Sequence, residues 1–408
     1  MSIQASPVSA APVLDRIGDR FVDADNHYYE PEDAFTRHLP SGVAATRPFR
    51  WITDERGRRR LLVAGQLYRR IVNPTFDPVA RPGHLLELYA SNGVLDYSRT
   101  GESNEPIRPE YRDREQRIEV MDRDDVEQIW LFPTLAMNVE QMLRDDIALT
   151  TAALQSFNRW LDDDWGFNHR GRIHAVPLFS LADVDWAIAE LEWALARGAR
   201  LLHVRACPVP GDRRGRSLAD PAFDAFWARA NEAGLTIAIH SGDTGMFERS
   251  AEWGDLANPP THLTTRFQLV YRDGREIFEA VADLILHGLF DRFPRLRVVS
   301  VEMGASWCAP LLSSLQKVSK RREFGLSTGD PVEIFRRHVY VSPYPEEDLE
   351  EVVQVMSAGR VVFGSDWPHP EGVARPADFF ASTGSLTDDE LRCIARNNTL
   401  DLMRPPTW

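Results

Sequence analysis

The sequence predicts an α/β chain folded as a (β/α)8 TIM barrel with a long insertion after the first strand. Three observations carry this. Eight apolar, β-rich runs (20–27, 128–133, 173–179, 199–206, 235–241, 296–302, 338–343 and 360–366) alternate with amphipathic helical stretches. No glycine-rich dinucleotide fingerprint follows any of them, which removes the main reason to prefer an open doubly wound sheet. Asp25, His27, His240, Glu302 and Asp366 close four of the runs, where such a barrel keeps its chemistry.

Taken in order, residues 1–18 lack both a basic start and a sustained apolar stretch, and read as a flexible tail ahead of a barrel over 19–408. In the first run, FVDADNH, strict alternation puts Phe21, Asp23, Asp25 and His27 on one face. Residues 46–110 form the insertion. FRWITDERGRRRLLVAGQLYRR (49–70) is a hairpin turning near Arg56-Gly57, followed by a proline-rich loop. So long a connection on the catalytic face of a barrel is expected to be a lid or substrate wall.

Helices are expected over 182–198, where Val184, Ile188, Leu191 and Leu195 recur at helical spacing and Gly198 stops the run, and over 220–234. Alternation points Arg205 inward at the end of the fourth run, with His203 one step deeper. Thr236, Ala238 and His240 share a face in the fifth run, Val298, Ser300 and Glu302 in the sixth, and Val362, Gly364 and Asp366 in the eighth. A second long loop spans 243–274.

Composition narrows the function. The chain has 408 residues, 43% hydrophobic and 26% charged, as in ordinary globular proteins. A net charge of −14 argues against nucleic-acid partners. The three cysteines, Cys207, Cys308 and Cys393, form no CxxC pair, which suits a reducing cytoplasm rather than a disulfide framework. No apolar run reaches the roughly 18 residues a membrane span needs.

The strand-end residues are metal-ligand types. Asp25 and His27, two apart on one strand, can reach one ion; His240 and Asp366 arrive from other strands. Two imidazoles with two or three carboxylates suit Zn²⁺ best, and also Mn²⁺, Fe²⁺ or Mg²⁺. Asp366 is placed to take or relay a proton. Glu302 reads equally as a further ligand, a general base or an acid. Arg205 suits a substrate carboxylate or an ion pair with one of these acids. His369 is positioned to orient Asp366 or the substrate. No GxSxG elbow, P-loop or HExxH is present.

FVDADNHYYEP resembles the D-x-D-x-H-x-x-E-P opening of amidohydrolase-related (amidohydrolase family 2) proteins, in the aminocarboxymuconate-semialdehyde decarboxylase-like branch of the amidohydrolase superfamily. MDRDDVEQIWLFPTL, FNRWLDDDWGFNHRGRIHAVPL, GLTIAIHSG, LFDRFPRLRVVSVEMGASWCAPLL, FGSDWPHPEG and LTDDELRCIARNNTLDLM resemble it in the same order. The resemblance implies a barrel with one divalent metal, and a homodimer. It places the family's H-x-H pair on Asp25 and His27, its strand-five ligand on His240 and its strand-eight aspartate on Asp366. The catalytic histidine of many decarboxylase members falls on Glu302, a departure. No lysine ends strand four, so no bridging carbamate is expected. The expected activity is metal-dependent nonoxidative decarboxylation of a small carboxylated molecule, with amide, lactone or ester hydrolysis as the alternative and a non-catalytic binding barrel behind both.

Overall fold

Parallel strand pairing organises the chain. In the computed structural model, residues 10–90, 104–211, 215–256, 265–320, 329–381 and 383–407 are described. β1 (Phe21–Tyr28) is followed by five short strands: β2 (Phe49–Thr53), β3 (Arg59–Val63), β4 (Gln66–Leu67), β5 (Val79–Ala80) and β6 (Asn104–Glu105). Then come β7 (Val126–Pro133), β8 (Ile173–Ala175), β9 (Leu201–Leu202), β10 (Thr236–His240), β11 (Arg297–Val301) and β12 (Val339–Val341).

Two parallel ladders run in the orders β1-β7-β8 and β12-β11-β10-β9. Parallel bridges link their ends. Leu178 pairs with His203, Val341 with Val361, and Asn26 with Trp367. The Ala24 amide donates to the Phe363 carbonyl at 2.8 Å and the His27 amide to the Trp367 carbonyl at 2.7 Å. The hydrogen-bonded order therefore returns from residues 361–367 to β1. The α/β class is the expected one. The third, fourth and eighth runs pair over shorter stretches than expected, and Pro177, which has no N–H to donate, interrupts the third.

Helices pack against the ladders, and their ends follow local rules. Asp183 caps Val184–Leu195 by accepting from the Trp186 amide, and Gly198 turns the chain at φ +89°. Gly234, at φ +65°, ends Asp224–Ala233.

β2 and β3 pair antiparallel from Phe49–Val63 to Thr53–Arg59, so the chain turns over 54–58. The segment that follows is pinned to the C-terminal ends of the parallel strands. Tyr68 donates to the Leu135 carbonyl at 3.2 Å, buried Arg70 pairs with Asp243 at 2.7 Å, and Phe76 stacks on Tyr29 at 4.3 Å.

Three expectations are corrected. Residues 10–17 of the supposed flexible tail form a helix, Ala10–Ile17, that buries Val13 and Ile17. Arg16 holds it in place by bonding Asp388 at 2.7 Å and the Leu386 carbonyl; residues 1–9 lie outside the described residues. The 243–274 loop contains the helices Met246–Ala251 and Arg266–Arg272, with 257–264 outside the described residues. Strict alternation also fails in β1. From Asp23 to Asn26 the strand advances three residues while β7 advances two, from Ile129 to Leu131. This bulge turns Asp23 away from the face that carries Asp25 and His27.

Gly364 permits the close approach of the last segment to β1. A Cβ there would meet Asp25 Cβ at 2.6 Å and Ser342 Oγ at 2.5 Å. Gly364→Ala should destabilise the fold by about 1–3 kcal/mol through overpacking. The expected result in urea denaturation is a lower midpoint with an unchanged m-value.

Candidate metal centre

Four C-terminal strand ends converge on one point. Asp25 and His27 come from β1, His240 is the last residue of β10, Glu302 follows β11, and Asp366 lies next to Trp367, which bridges to Asn26 of β1. Ligand-capable atoms of Asp25, His27 and His240 lie within 4.8 Å of one another, and so do those of His27, Glu302, Asp366 and His369. His27 Nε2 is the hub. It lies 3.3 Å from Asp25 Oδ1, 3.3 Å from Asp366 Oδ1, 3.9 Å from Glu302 Oε2 and 3.0 Å from His240 Nε2. His240 Nε2 is also 3.0 Å from Glu302 Oε2.

Backbone geometry aims two of these side chains. Glu302 and Asp366 adopt φ +53° and +55°, a left-handed conformation that non-glycine residues take only under local constraint. Tyr344 donates to the Glu302 carbonyl at 3.1 Å, and the Asp366 amide donates to the Asp25 carbonyl at 2.9 Å.

The donor set fits a divalent cation. Asp25 Oδ1 is buried without a hydrogen-bond partner, although it lies near two imidazoles. His240 Nδ1 lies 2.8 Å from the Ser241 carbonyl, which can only accept, so in the neutral ring the proton sits there and Nε2 presents a lone pair. The electrostatics point the same way. Burial, reinforced by the negative charges of Glu302, Glu371 and Asp25, pushes the Asp366 carboxyl well above its usual range. Burial opposes the charge on His240, yet Glu302 and Asp25 raise its pKa well above the ordinary value. Burial and then the charge of His369 lower His27 to about 3. Among protein groups alone, a proton on His240 does the neutralising that a dication would do better.

His369, a candidate for orienting Asp366 or the substrate, is brought into the cluster. Its Nδ1 is 2.7 Å from Asp366 Oδ1, its Nε2 is 3.0 Å from Thr134 Oγ1, and its ring stacks on His27 at 3.9 Å. Arg205 is not brought to these acids. Its guanidinium pairs with Glu140 at 3.0 Å and donates to Gln141 Oε1 at 2.7 Å and to the Asp243 carbonyl at 3.1 Å. The acid that neutralises it sits on the helix Val139–Leu143, outside the expected set. His203 Nδ1 donates to the Ala238 carbonyl at 3.1 Å, bracing β10 from below.

Several neighbours escaped the sequence reading. Thr134 and Glu371 lie inside quoted motifs, LFPTL and WPHPEG, and could have been found there. Tyr344, Arg70 and Asp243 carry no local signal. Glu30 of the opening motif has a structural task, accepting the amides of Thr134, Leu135 and Ala136 with one oxygen.

An α/β fold that gathers histidines and carboxylates at its strand ends has the donor set of a candidate metal centre. The amidohydrolase family profile matches residues 8–404, and the chain belongs to that family. An amidohydrolase from Mycobacterium avium subsp. paratuberculosis K-10 is 38% identical, with a TM-score of 0.87 over 95% of this chain and 99% of that one. 2,6-Dihydroxybenzoate decarboxylase from Rhizobium is 18% identical, with a TM-score of 0.56 over 80% of this chain and 96% of that one. 5-Carboxyvanillate decarboxylase from Novosphingobium aromaticivorans DSM 12444, solved with manganese, is 15% identical, with a TM-score of 0.54 over 95% and 96%. These two show the shared fold. Among curated proteins, none matches the chain in sequence. No helix among the described residues is long and apolar enough to cross a membrane.

Purified protein stripped by chelator and titrated with Zn²⁺ or Mn²⁺ should bind one equivalent, and His240→Ala should lose that binding. Metal addition should raise the unfolding temperature of the parent and leave that of His240→Ala unchanged, read by differential scanning fluorimetry.

Proposed function

We propose that the protein is a (β/α)8 TIM-barrel enzyme that removes CO2 from a small carboxylated organic molecule, without a redox cofactor and with one divalent ion. The observation that carries this reading is the position of Glu302. Its side chain is 23% exposed, whereas those of Asp25, His27, His240 and Asp366 are between 1% and 9% exposed. Glu302 is therefore the acid of the set that an incoming molecule can reach.

Asp25, His27, His240 and Asp366 would hold the ion, Zn²⁺ or the Mn²⁺ found in the vanillate relative. When bound, it would supply Lewis acidity toward the substrate's carboxylate and a neighbouring oxygen. Glu302, which His240 at 3.0 Å holds below the usual carboxyl range, must first take up a proton and would then present it at the face of the carbon that loses its carboxylate. The C–C bond breaks, its electron pair stays on that carbon as CO2 leaves, and the Glu302 proton forms the new C–H bond. Glu302 regains a proton from solvent through its exposed edge. His369, held between Asp366 and Thr134, fixes the Asp366 carboxylate. The insertion residues Tyr68, Arg70 and Phe76, anchored on the strand ends, form the substrate wall.

Hydrolysis is the second reading, and one arrangement favours it. The Asp366–His369–Thr134 chain is a ready acceptor and conduit for a proton taken from water. Arg205 is also neutralised by Glu140, so it offers a substrate carboxylate little charge.

CO2 release from a panel of hydroxybenzoates and unsaturated acids, run beside amide, ester and lactone hydrolysis, decides between the two. Glu302→Gln should lower kcat for decarboxylation by about 10²–10⁴-fold with a near-parental fold. Hydrolysis of any panel member with no CO2 release would reject the lyase reading. Asp366→Asn should lower turnover by on the order of 10³-fold in either reaction, with circular dichroism unchanged.

A further inference from the structure

The β1 bulge places a second set of polar groups on the side of the strand away from the metal centre, and the reaction does not use them. Asp23 is 1% exposed and Arg117 is 1% exposed. Asp23 Oδ1 accepts from the Asp25 amide at 3.0 Å and the Ser365 amide at 2.9 Å. Its Oδ2 accepts from Asn26 Nδ2 at 2.8 Å and from Ser365 Oγ at 2.5 Å. One carboxylate thus ties the backbone of a candidate ligand on β1 to the residue just before another, Asp366.

Arg117, on the helix Arg114–Arg123, completes the arrangement. It donates to Asn26 Oδ1, to the His27 carbonyl at 2.7 Å and to the Glu110 carbonyl at 2.9 Å. Its guanidinium lies over the ring of Trp367, the residue after Asp366, at 4.4 Å, and over Trp165 at 5.3 Å. Asn26 bridges the two ions, giving its amide to Asp23 and its carbonyl oxygen to Arg117. A buried acid and a buried base, joined through one amide side chain, hold the backbone of Asp25 and His27 and both neighbours of Asp366.

We infer that Asp23 and Arg117 are positioning residues for the metal centre, setting the spacing between the β1 ligands and Asp366 and hence the affinity for the ion. Groups that orient ligands in this way typically cost 10–100-fold in metal affinity when altered. A network serving only stability would lower the unfolding midpoint and leave the folded protein's affinity intact. The inference rests on the reading of the strand ends as a metal site.

The test uses the full chain as wild type, Asp23→Asn, Arg117→Lys and Ser365→Ala, with Phe226→Leu, at a buried position on the helix Asp224–Ala233, as a destabilised control. Two quantities are read on each: the unfolding midpoint of the chelator-treated protein, and Mn²⁺ affinity by competition with a fluorescent chelator. Asp23→Asn and Arg117→Lys should bind Mn²⁺ about 10–100-fold more weakly, while Phe226→Leu, though less stable, binds like wild type. If Arg117→Lys does not fold, Asp23→Asn and Ser365→Ala carry the comparison. Wild-type affinity in the folded Asp23 and Ser365 variants would overturn the inference alone. Failure of the wild type itself to bind would overturn the metal reading and the inference with it.

Discussion

Three carboxylates and three imidazoles share a largely buried space at the strand ends, and the repulsion among the acids is the constraint around which the site is organised. Two like charges 4 Å apart repel by about 4 kcal/mol at an effective dielectric of 20. Glu302 and Asp366, whose ligand oxygens come within 4.8 Å of each other, cannot both remain ionised at low cost in so buried a space without a cation nearby. Burial, reinforced by that repulsion, pushes Asp366 up, and Glu302 and Asp25 raise the pKa of His240 against the effect of burial. A divalent ion would answer it more fully, because Asp25 Oδ1 lacks a hydrogen-bond partner and the His27 and His240 Nε2 atoms face each other at 3.0 Å.

Holding the acids there requires strain and bracing from the backbone. Positive φ at Glu302 and Asp366 costs on the order of 1–3 kcal/mol each. The bracing groups are visible: the Tyr344 hydroxyl on the Glu302 carbonyl, and the Asp25 carbonyl accepting the Asp366 amide. Asp25 and Asp366 stand near opposite ends of the chain, so the cluster forms only once residues 361–367 have paired with β1. The fold and the site are thus completed by the same hydrogen bonds.

That dependence explains what the sequence made legible. Apolar runs ending in acids or histidines are local patterns, and they located Asp25, His27, His240, Glu302 and Asp366 because each lies at a strand end. The bulge in β1 was not legible. It is tied to Asp23 accepting the Asp25 and Ser365 amides, and nothing within FVDADNH announces Ser365. Alternation correctly put Asp25 and His27 together and wrongly added Asp23. The ion-pair partner of Arg205 was not legible for a similar reason. That partner, Glu140, lies on a short helix beyond the end of β7, and only tertiary packing brings the two within 3.0 Å. The tail was misread because Ala10–Ile17 is too short to be stable alone and is fixed by Asp388 and Leu386 far along the chain.

Glu302 is where the chemistry and the departure from the family motif meet. A histidine at this position could donate a proton while leaving the charge of the ligand set unchanged. A glutamate adds a third negative charge within reach of the same ion, which strengthens retention of a dication and weakens its pull on a substrate carboxylate. For Glu302 to act as an acid it must stand off the ion and carry a proton. Burial favours the protonated form, but the charge and hydrogen bond of His240 outweigh it and hold the Glu302 carboxyl below its usual range. If the ion engages the His240 Nε2 lone pair, that ring can no longer be the proton-bearing partner of Glu302. Occupation of the centre by metal and the freeing of Glu302 from His240 are then one event, which would couple ion binding to the acid that the carbon needs.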